Sequence, residues 1–132
     1  MAAPLGVRHI GQIAMPARNL DRAVAFYRDV LGLPFLFQVP SLAFFDCDGT
    51  RLMLSTPETD EVQHHGSTLY FSVDDIQAAW QTLRQHQVNT VDEPHLIAQL
   101  ETVDVWMGFF NDSEGNLLAL MSETPRAYET NT

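Results

Sequence analysis

The sequence predicts an α+β protein made of two copies of one βαβββ module. The first observation is an internal repeat, in which residues 11–15 match residues 67–71 at an offset of 56 and residues 44–46 match 109–111 at an offset of 65, which becomes 66 after the following turn. The second is that each copy places one stretch of helical spacing among short apolar runs of strand type. Because a four-stranded sheet with one helix keeps an apolar face, we expect the two sheets to pair into one mixed sheet that encloses a cleft.

The first module spans residues 7–56 and starts with a predicted strand. Asn19 is a good N-cap for the helix that follows, Gly32 is a good stop, and Pro34 bars any continuation. The apolar residues between cap and stop repeat at helical spacing; they are Leu20, Ala23, Val24, Tyr27, Val30 and Leu31. The predicted strands of this module lie at residues 9–15, 35–39, 42–46 and 51–55.

The second module spans residues 67–123, after a polar linker at 57–66 and before a tail at 124–132. Its helix is capped by Asp74 or Asp75, and its apolar stripe consists of Ile76, Ala79, Trp80 and Leu83. This copy is about nine residues longer than the first, around residues 93–102. The added length is either a loop that closes over the cleft or a turn with charged surface residues, and the sequence favours neither. The predicted strands lie at residues 67–73, 90–96, 103–111 and 116–122.

The composition excludes several classes of function. The 132 residues include 17 acids and 7 bases, a net charge of −10, and all the bases are arginine. Without lysine, neither a Schiff base nor a P-loop is possible. Nucleic acid and anionic membranes require clustered positive charge, so we expect neither as a partner. One cysteine, Cys47, excludes an intramolecular disulfide and a cysteine-based zinc cluster. We see no signal peptide or membrane-spanning run and expect a cytoplasmic protein.

Two motifs resemble those of a known superfamily. The helix segment at residues 19–32 reads NLDRAVAFYRDVLG, and the turn before the last strand, at residues 111–116, reads NDSEGN. Both resemble hallmarks of the vicinal oxygen chelate superfamily, which includes glyoxalase I, bleomycin-resistance proteins and extradiol dioxygenases. The resemblance extends from residue 7 to 123 and implies the glyoxalase-like fold within a homodimer. It is specific for the fold and not for the function, because this scaffold hosts metal enzymes and metal-free binders alike.

The resemblance also implies where a metal would bind. Enzymes of this superfamily hold a divalent metal that chelates two substrate oxygens, with ligands on the first and last strand of each module. The corresponding positions in this sequence are Gln12, Met53, Thr68 and Ala119. Oxygen-binding cations prefer carboxylates, and zinc prefers imidazole or thiolate. This uncharged set therefore predicts no metal and no cofactor.

The leading hypothesis is a small organic molecule bound in a metal-free apolar cleft, as in bleomycin-resistance-type proteins. The side chains expected to contact it form three groups: the polar anchors Gln12, Thr68 and Tyr70, the wall residues Met53 and Ala119, and the rim or lid residues His95 and Trp106.

Two alternatives stay open. One is a lyase or isomerase of glyoxalase or epimerase type, or a dioxygenase, that uses a displaced divalent metal or proton transfer through His95 or Glu101. A different strand register would make His9 a metal ligand in such an enzyme. The other is an interaction domain whose only partner is a second copy of the chain. No catalytic residue is assigned from the sequence.

Overall fold

The computed structural model describes residues 3–57 and 67–126 of the chain. The chain divides into two compact units, Met1–Val62 and Gln63–Thr132, and each contains one helical segment and one four-stranded sheet. The predicted α+β class and its two βαβββ modules are therefore confirmed. Most of the predicted linker and tail lies outside the described residues. No helix within the described ranges is long and apolar enough to cross a membrane.

The sheet of the first module has its strands in the order β1-β4-β3-β2. Strand β4 pairs with β1 in parallel and with β3 antiparallel, and β3 pairs antiparallel with β2. The elements are β1 (Gln12–Pro16), α1 (Leu20–Ala25), β2 (Phe35–Val39), β3 (Leu42–Cys47) and β4 (Thr50–Ser55). The ladder between β1 and β4 is extended by the Arg51 amide, which donates to the Gly11 carbonyl at 2.9 Å.

Helix α1 begins at its predicted cap and ends in an unexpected way. The Asn19 side chain accepts a hydrogen bond from the Arg22 amide at 3.0 Å. After Ala25 the chain continues as a π-helical turn over Phe26–Val30, closed by the Leu31 amide on the Phe26 carbonyl at 3.1 Å. Gly32 then takes φ +77°, the left-handed conformation that ends helices. The periodicity of the apolar residues predicts one α-helix here. It does not reveal the π-helical turn, because that turn buries the same apolar stripe as an α-helix would.

The helix of the first module packs on one face of its sheet. The Tyr27 ring lies 6.0 Å from the Phe45 ring, and Phe45 lies 5.5 Å from Phe35. Other buried side chains of this module are Met15, Ala23, Val24, Ala43, Leu52 and Leu54. Because side chains alternate along a strand, the neighbours of these sheet residues point away from the helix. We call that second surface the helix-free face and use the same term for the second module.

The sheet of the second module has the order β5-β8-β7-β6. It repeats the pairing of the first, with β8 parallel to β5 and antiparallel to β7. Its elements are β5 (Leu69–Ser72), α2 (Ile76–Gln85), β6 (Thr90–Gln99), β7 (Val103–Asn111) and β8 (Leu117–Pro125). Helix α2 is capped by Asp75, whose side chain accepts from the Ala78 amide at 3.1 Å.

The strand registers confirm the internal repeat. Phe44 is the Cα partner of Met53 in the first module, and Phe109 is the partner of Ala119 in the second. On the other side of the same strands, Ala14 pairs with Met53 and Tyr70 pairs with Ala119. The two sheets therefore use equivalent residues at equivalent places, as the offsets of the repeat predict.

The added residues of the second module form mostly strand and not a loop. It extends strand β6 to Gln99, where the ladder with β7 continues to the pair Gln99–Asp104. The added residues lengthen the β6–β7 hairpin, because β7 offers backbone hydrogen-bond partners to most of them. Three register irregularities interrupt β6, and Pro94 is tolerated there because β6 is an edge strand. Residues 93–99 are therefore strand, as predicted as far as residue 96, and not part of a loop.

Helix α2 contacts its sheet through Trp80, which is 2% exposed. The Trp80 ring meets Phe110 edge-on at 6.3 Å. A Cβ atom added at Gly108 would lie 2.8 Å from the Trp80 ring and 3.1 Å from Pro94. Position 108 therefore holds glycine because the indole occupies the space of a side chain.

We expect Gly108→Ala to lower the free energy of unfolding by about 1–3 kcal/mol, because the rigid indole must move to admit the methyl group. Gly11→Ala is the matched control, since a Cβ atom there meets nothing within 4 Å. Urea unfolding of both variants measures the difference. Equal stability of the two variants would contradict the close approach of Trp80 to β7.

Candidate functional site

A row of side chains crosses all four strands of the first module on the helix-free face. Gln12 on β1 places its amide nitrogen 3.8 Å from the Met53 sulfur on β4. Phe44 on β3 is the Cα partner of Met53, and its ring stacks on Phe37 of β2 with 4.5 Å between centroids. The predicted anchor Gln12 and wall residue Met53 thus lie side by side, next to two phenylalanines that the sequence did not single out.

The same face carries one cation. Arg51 is the Cα partner of Gln12 across β1 and β4, and its guanidinium carbon lies 5.7 Å from the centre of the Phe44 ring. This distance is within the range of a cation–π interaction. The face therefore combines an aromatic pair, a soft thioether and a neutral amide with the charges of Arg51 and of its other Cα partner, Asp46.

The second module has an equivalent row. Tyr70 on β5 and Phe109 on β7 are the Cα partners of Ala119 on its two sides. Their rings meet edge-on with 5.9 Å between centroids, and Ala119 is 0% exposed. The small alanine allows two rings from non-adjacent strands to touch each other. Position 119 is thus part of an aromatic cluster, and it offers no donor atom to a metal.

His95 lies on β6 as the Cα partner of Met107, which shares the helix-free face with Phe109. Its Nδ1 lies 2.9 Å from the Glu93 carbonyl and 4.0 Å from the Asp92 carboxylate. When Nδ1 carries the proton and donates it to the carbonyl, Nε2 is left as an acceptor. The imidazole is about half exposed, so a ligand on this face has access to it.

The structure separates some predicted site residues from these rows. Trp106 pairs with Leu96 and Ser122 and shares its face of β7 with Gly108, which is the face covered by helix α2. Thr68 precedes strand β5 and is half-buried. Among the described residues, neither forms a hydrogen bond or a ring contact with the Tyr70–Phe109 pair.

The two alternative proton-transfer residues, His95 and Glu101, lie apart. Glu101 lies in the connection between β6 and β7, beyond the end of β6 at Gln99. The strand from His95 to Gln99 covers about 13 Å at about 3.3 Å per residue. His9 precedes β1, which begins at Gln12 and not at the predicted residue 9, so His9 is not a strand residue.

The strand pattern alone misses Arg51, Phe37, Phe44 and Phe109 as residues of these faces. A signal for the last two exists, because the repeat aligns Phe44 with Phe109 beside the predicted ligand positions. No such signal exists for Phe37. A register shift between Phe35 and Phe37 puts these two residues on opposite faces, where simple alternation would place them together.

The residues at the superfamily's metal positions do not fit a catalytic divalent ion. Gln12 provides one neutral amide oxygen, Met53 a thioether, Thr68 a hydroxyl and Ala119 nothing. Within residues 3–57 and 67–126, no three His, Cys, Asp or Glu side chains are grouped to hold a metal. Hard cations require several anionic or carbonyl oxygens, and zinc takes imidazole nitrogen, thiolate sulfur or carboxylate oxygen, none of which these four residues provide.

Cys47 follows strand residue Asp46 and precedes the turn residue Asp48. Burial raises the pKa of its thiol, and the nearby carboxylates of Asp46 and Asp48 raise it further. The thiolate is the reactive form, so the environment suppresses nucleophilic chemistry at neutral pH.

We expect iodoacetamide to alkylate Cys47 slowly at pH 7 and faster as pH rises past the ordinary thiol range, because the raised pKa delays ionisation. Asp48→Asn should speed alkylation by lowering that pKa, while the exposed Asp74→Asn in the second module should not. Asparagine suits the left-handed conformation at position 48, where φ is 51°. Mass spectrometry measures the rate of alkylation directly, because the chain has one cysteine. An unchanged rate in Asp48→Asn would exclude the electrostatic cause.

Comparison with known proteins determines the family. The model of the Glyoxalase/Bleomycin resistance protein/Dioxygenase superfamily matches residues 9–120. The chain belongs to this superfamily. The match covers both modules and both motifs on which the resemblance rests.

This superfamily member also resembles individual proteins of differing activity. It is 23% identical to the metallothiol transferase FosB of Staphylococcus haemolyticus, over 86% of this chain and 83% of that protein. Among solved structures it matches lactoylglutathione lyase from Agrobacterium tumefaciens with a TM-score of 0.71 and 24% identity, over 90% and 95% of the two chains. It matches an antibiotic binding protein from a Streptomyces species with a TM-score of 0.73 and 19% identity, over 92% and 100%. At these identities the structural likenesses establish the fold alone.

Proposed function

We propose that this superfamily member binds a small organic molecule without a metal ion, through the helix-free faces of its sheets. One observation carries the proposal: Ala119, at a position where superfamily enzymes place a metal ligand, is fully buried beside the touching rings of Tyr70 and Phe109. Its counterpart Met53 contacts the neutral amide of Gln12. Both positions are thus occupied by apolar side chains that join aromatic clusters.

The chemistry of the two rows suits an apolar ligand with a few polar groups. Small-molecule sites are lined mainly by apolar and aromatic side chains, with a few polar groups that fix orientation. Phe37 and Tyr70 remain 45% and 46% exposed. Exposed aromatic rings forgo the favourable free energy of burying their apolar surface. The antibiotic binding protein from Streptomyces gives a precedent for a binder on this fold. The proposed contacts are Gln12, Phe37 and Met53 on the sheet of the first module, and Tyr70, His95, Phe109 and Ala119 on the sheet of the second.

The experiment is a screen of aromatic small molecules, bleomycin among them, by thermal unfolding in EDTA. Binding to the native state alone raises the stability, by about 2.7 kcal/mol at a ligand concentration one hundred times Kd. A hit should be lost in Phe37→Ala and kept in Phe35→Ala. These two residues are similarly exposed on the same strand, but Phe35 lies on the helix face. A hit that survives Phe37→Ala and Tyr70→Ala would contradict the proposed site.

A second candidate is proton-transfer catalysis of the glyoxalase or epimerase type, favoured by the orientation of His95. Its Nδ1 contact with the Glu93 carbonyl presents Nε2 as a base. The test is turnover of the hemithioacetal of methylglyoxal and glutathione by the wild type and His95→Ala. Turnover that EDTA leaves intact and His95→Ala abolishes would support this candidate. Turnover that survives His95→Ala but stops in EDTA would show that a metal centre exists.

We also propose that the chain forms a homodimer in the cytoplasm, where a single unbridged cysteine is common. The edge strand β2 supports the dimer, because all its residues are exposed, including Leu36 and Val39, and none is charged or proline. The other long edge strand, β6, carries Asp92, Glu93 and Pro94, which discourage pairing. An uncharged strand can pair antiparallel with its own copy across a two-fold axis.

We expect Leu36→Lys to convert the dimer to a monomer in sedimentation equilibrium, because a lysine on an edge strand opposes pairing. Val91→Lys is the matched control: Leu36 and Val91 are both exposed and both lie at a register shift of an edge strand. A monomeric wild type, or a dimer unaffected by Leu36→Lys, would reject pairing through β2.

A further inference from the structure

We infer that the ligand is an aromatic carboxylate whose charged group is bound by Arg51. This inference rests on the proposed function and specifies its ligand class. It follows from one charged side chain on the proposed binding surface that forms no ion pair with a carboxylate among the described residues. The chain is strongly acidic, with 17 acids and 7 arginines, so such an arginine is informative.

Arg51 is placed on the helix-free face by the ladders on both sides of β4. Its Cα partners are Gln12 on β1 and Asp46 on β3. The guanidinium lies over the Phe44 ring at 5.7 Å, and Phe44 in turn stacks on Phe37. The cation–π contact holds the side chain along the aromatic pair and orders it before a ligand arrives.

Arg51 forms no ion pair with any carboxylate in residues 3–57 or 67–126. Three other arginines have such partners: Arg28 with Asp29, Arg84 with Glu93, and Arg126 with Asp104. The adjacent carboxylate, that of Asp46, instead accepts a hydrogen bond from the Gly49 amide at 3.1 Å. The planar fork of donors on Arg51 is therefore available to a carboxylate from outside the chain.

The neighbouring rings define the rest of the ligand. Phe44 is nearly buried, while the Phe37 ring that stacks on it is 45% exposed. A planar ring can continue this stack on Phe37, and a carboxylate attached to that ring can turn toward Arg51. The Gln12 amide, already in contact with Met53, lies across from Arg51 and is neutral, so it places no negative charge against the carboxylate.

The experiment compares 2-naphthoate with the neutral and nearly isosteric 2-naphthamide by isothermal titration calorimetry in EDTA. A charge-assisted hydrogen bond to guanidinium predicts that the wild type binds naphthoate about tenfold or more tightly than naphthamide. Arg51→Gln should abolish this preference, so that the two probes bind with about equal affinity. Arg84→Gln is the matched control, since it removes the same charge from the second module and should keep the preference.

Equal affinity of the wild type for both probes would overturn the inference, as would a preference that survives in Arg51→Gln. If naphthamide still binds in those cases and is lost in Phe37→Ala but not Phe35→Ala, the proposed metal-free site stands without its anionic specificity. If neither probe binds the folded wild type, the inference is rejected for aromatic carboxylates of this size. The screen of other compounds then decides the proposed function separately.

Discussion

Replacing Trp80 with alanine is expected to lower the free energy of unfolding by about 3–5 kcal/mol. The side chain is almost fully buried and packs edge-on against Phe110. It also fills the space above Gly108, where no side chain of β7 can replace it. Alanine would leave a cavity between helix α2 and the sheet, and the glycine has no atoms with which to fill it.

Urea unfolding followed by circular dichroism measures this loss. Trp80→Phe is the matched variant and should cost much less, because it keeps a ring in the space. It also removes an indole N–H that is buried without a hydrogen-bond partner among the described residues, and such a donor carries a desolvation penalty. Similar losses in the two variants would show that the indole makes contacts beyond ring packing.

The second large effect is a gain of metal binding in the double variant Gln12→His with Met53→His. The two native side chains touch across adjacent strands, so two imidazoles at these positions should converge on one ion. Ni²⁺ or Zn²⁺ at one hundred times Kd should then stabilise the variant by about 2.7 kcal/mol. The wild type offers an amide and a thioether at the same places and should not respond.

Thermal unfolding with increasing Ni²⁺, after treatment with EDTA, measures the gain. The single variants Gln12→His and Met53→His are the controls, since one imidazole binds far more weakly than two. A folded double variant that responds no more than the singles would show that the side chains at 12 and 53 do not converge. The assignment of positions 12 and 53 as neighbouring metal-ligand positions would then be wrong.

Much of the fold is encoded locally and could be predicted. Asn19 and Asp75 cap their helices through their own side chains, and Gly32 ends the first helical segment, so these boundaries are readable from residue type. The repeat offsets predicted the equivalence of Met53 and Ala119, which the strand registers confirm. Such features depend on nearby residues or on a pattern that the chain repeats.

The features that could not be predicted depend on backbone irregularities. The π-helical turn at Phe26–Val30 conserves the buried stripe, so periodicity does not reveal it. The register shift in β2 turns Phe37 away from the face of Phe35. In β6, the strand predicted at residues 90–96 continues to Gln99, because β7 supplies backbone partners beyond the predicted end. Arg51 is uninformative in the sequence because its lack of a partner is visible only in three dimensions.

The most direct test of metal-free binding is the metal content and metal response of the wild-type chain. Purified protein is analysed by mass spectrometry for bound metals, then unfolded thermally after EDTA with Ni²⁺, Zn²⁺, Mn²⁺ or Fe²⁺ in turn. We predict metal well below one equivalent per chain and no saturable stabilisation, with the two-histidine variant as the positive control. One bound equivalent, with a large and saturable rise in stability, would contradict the account.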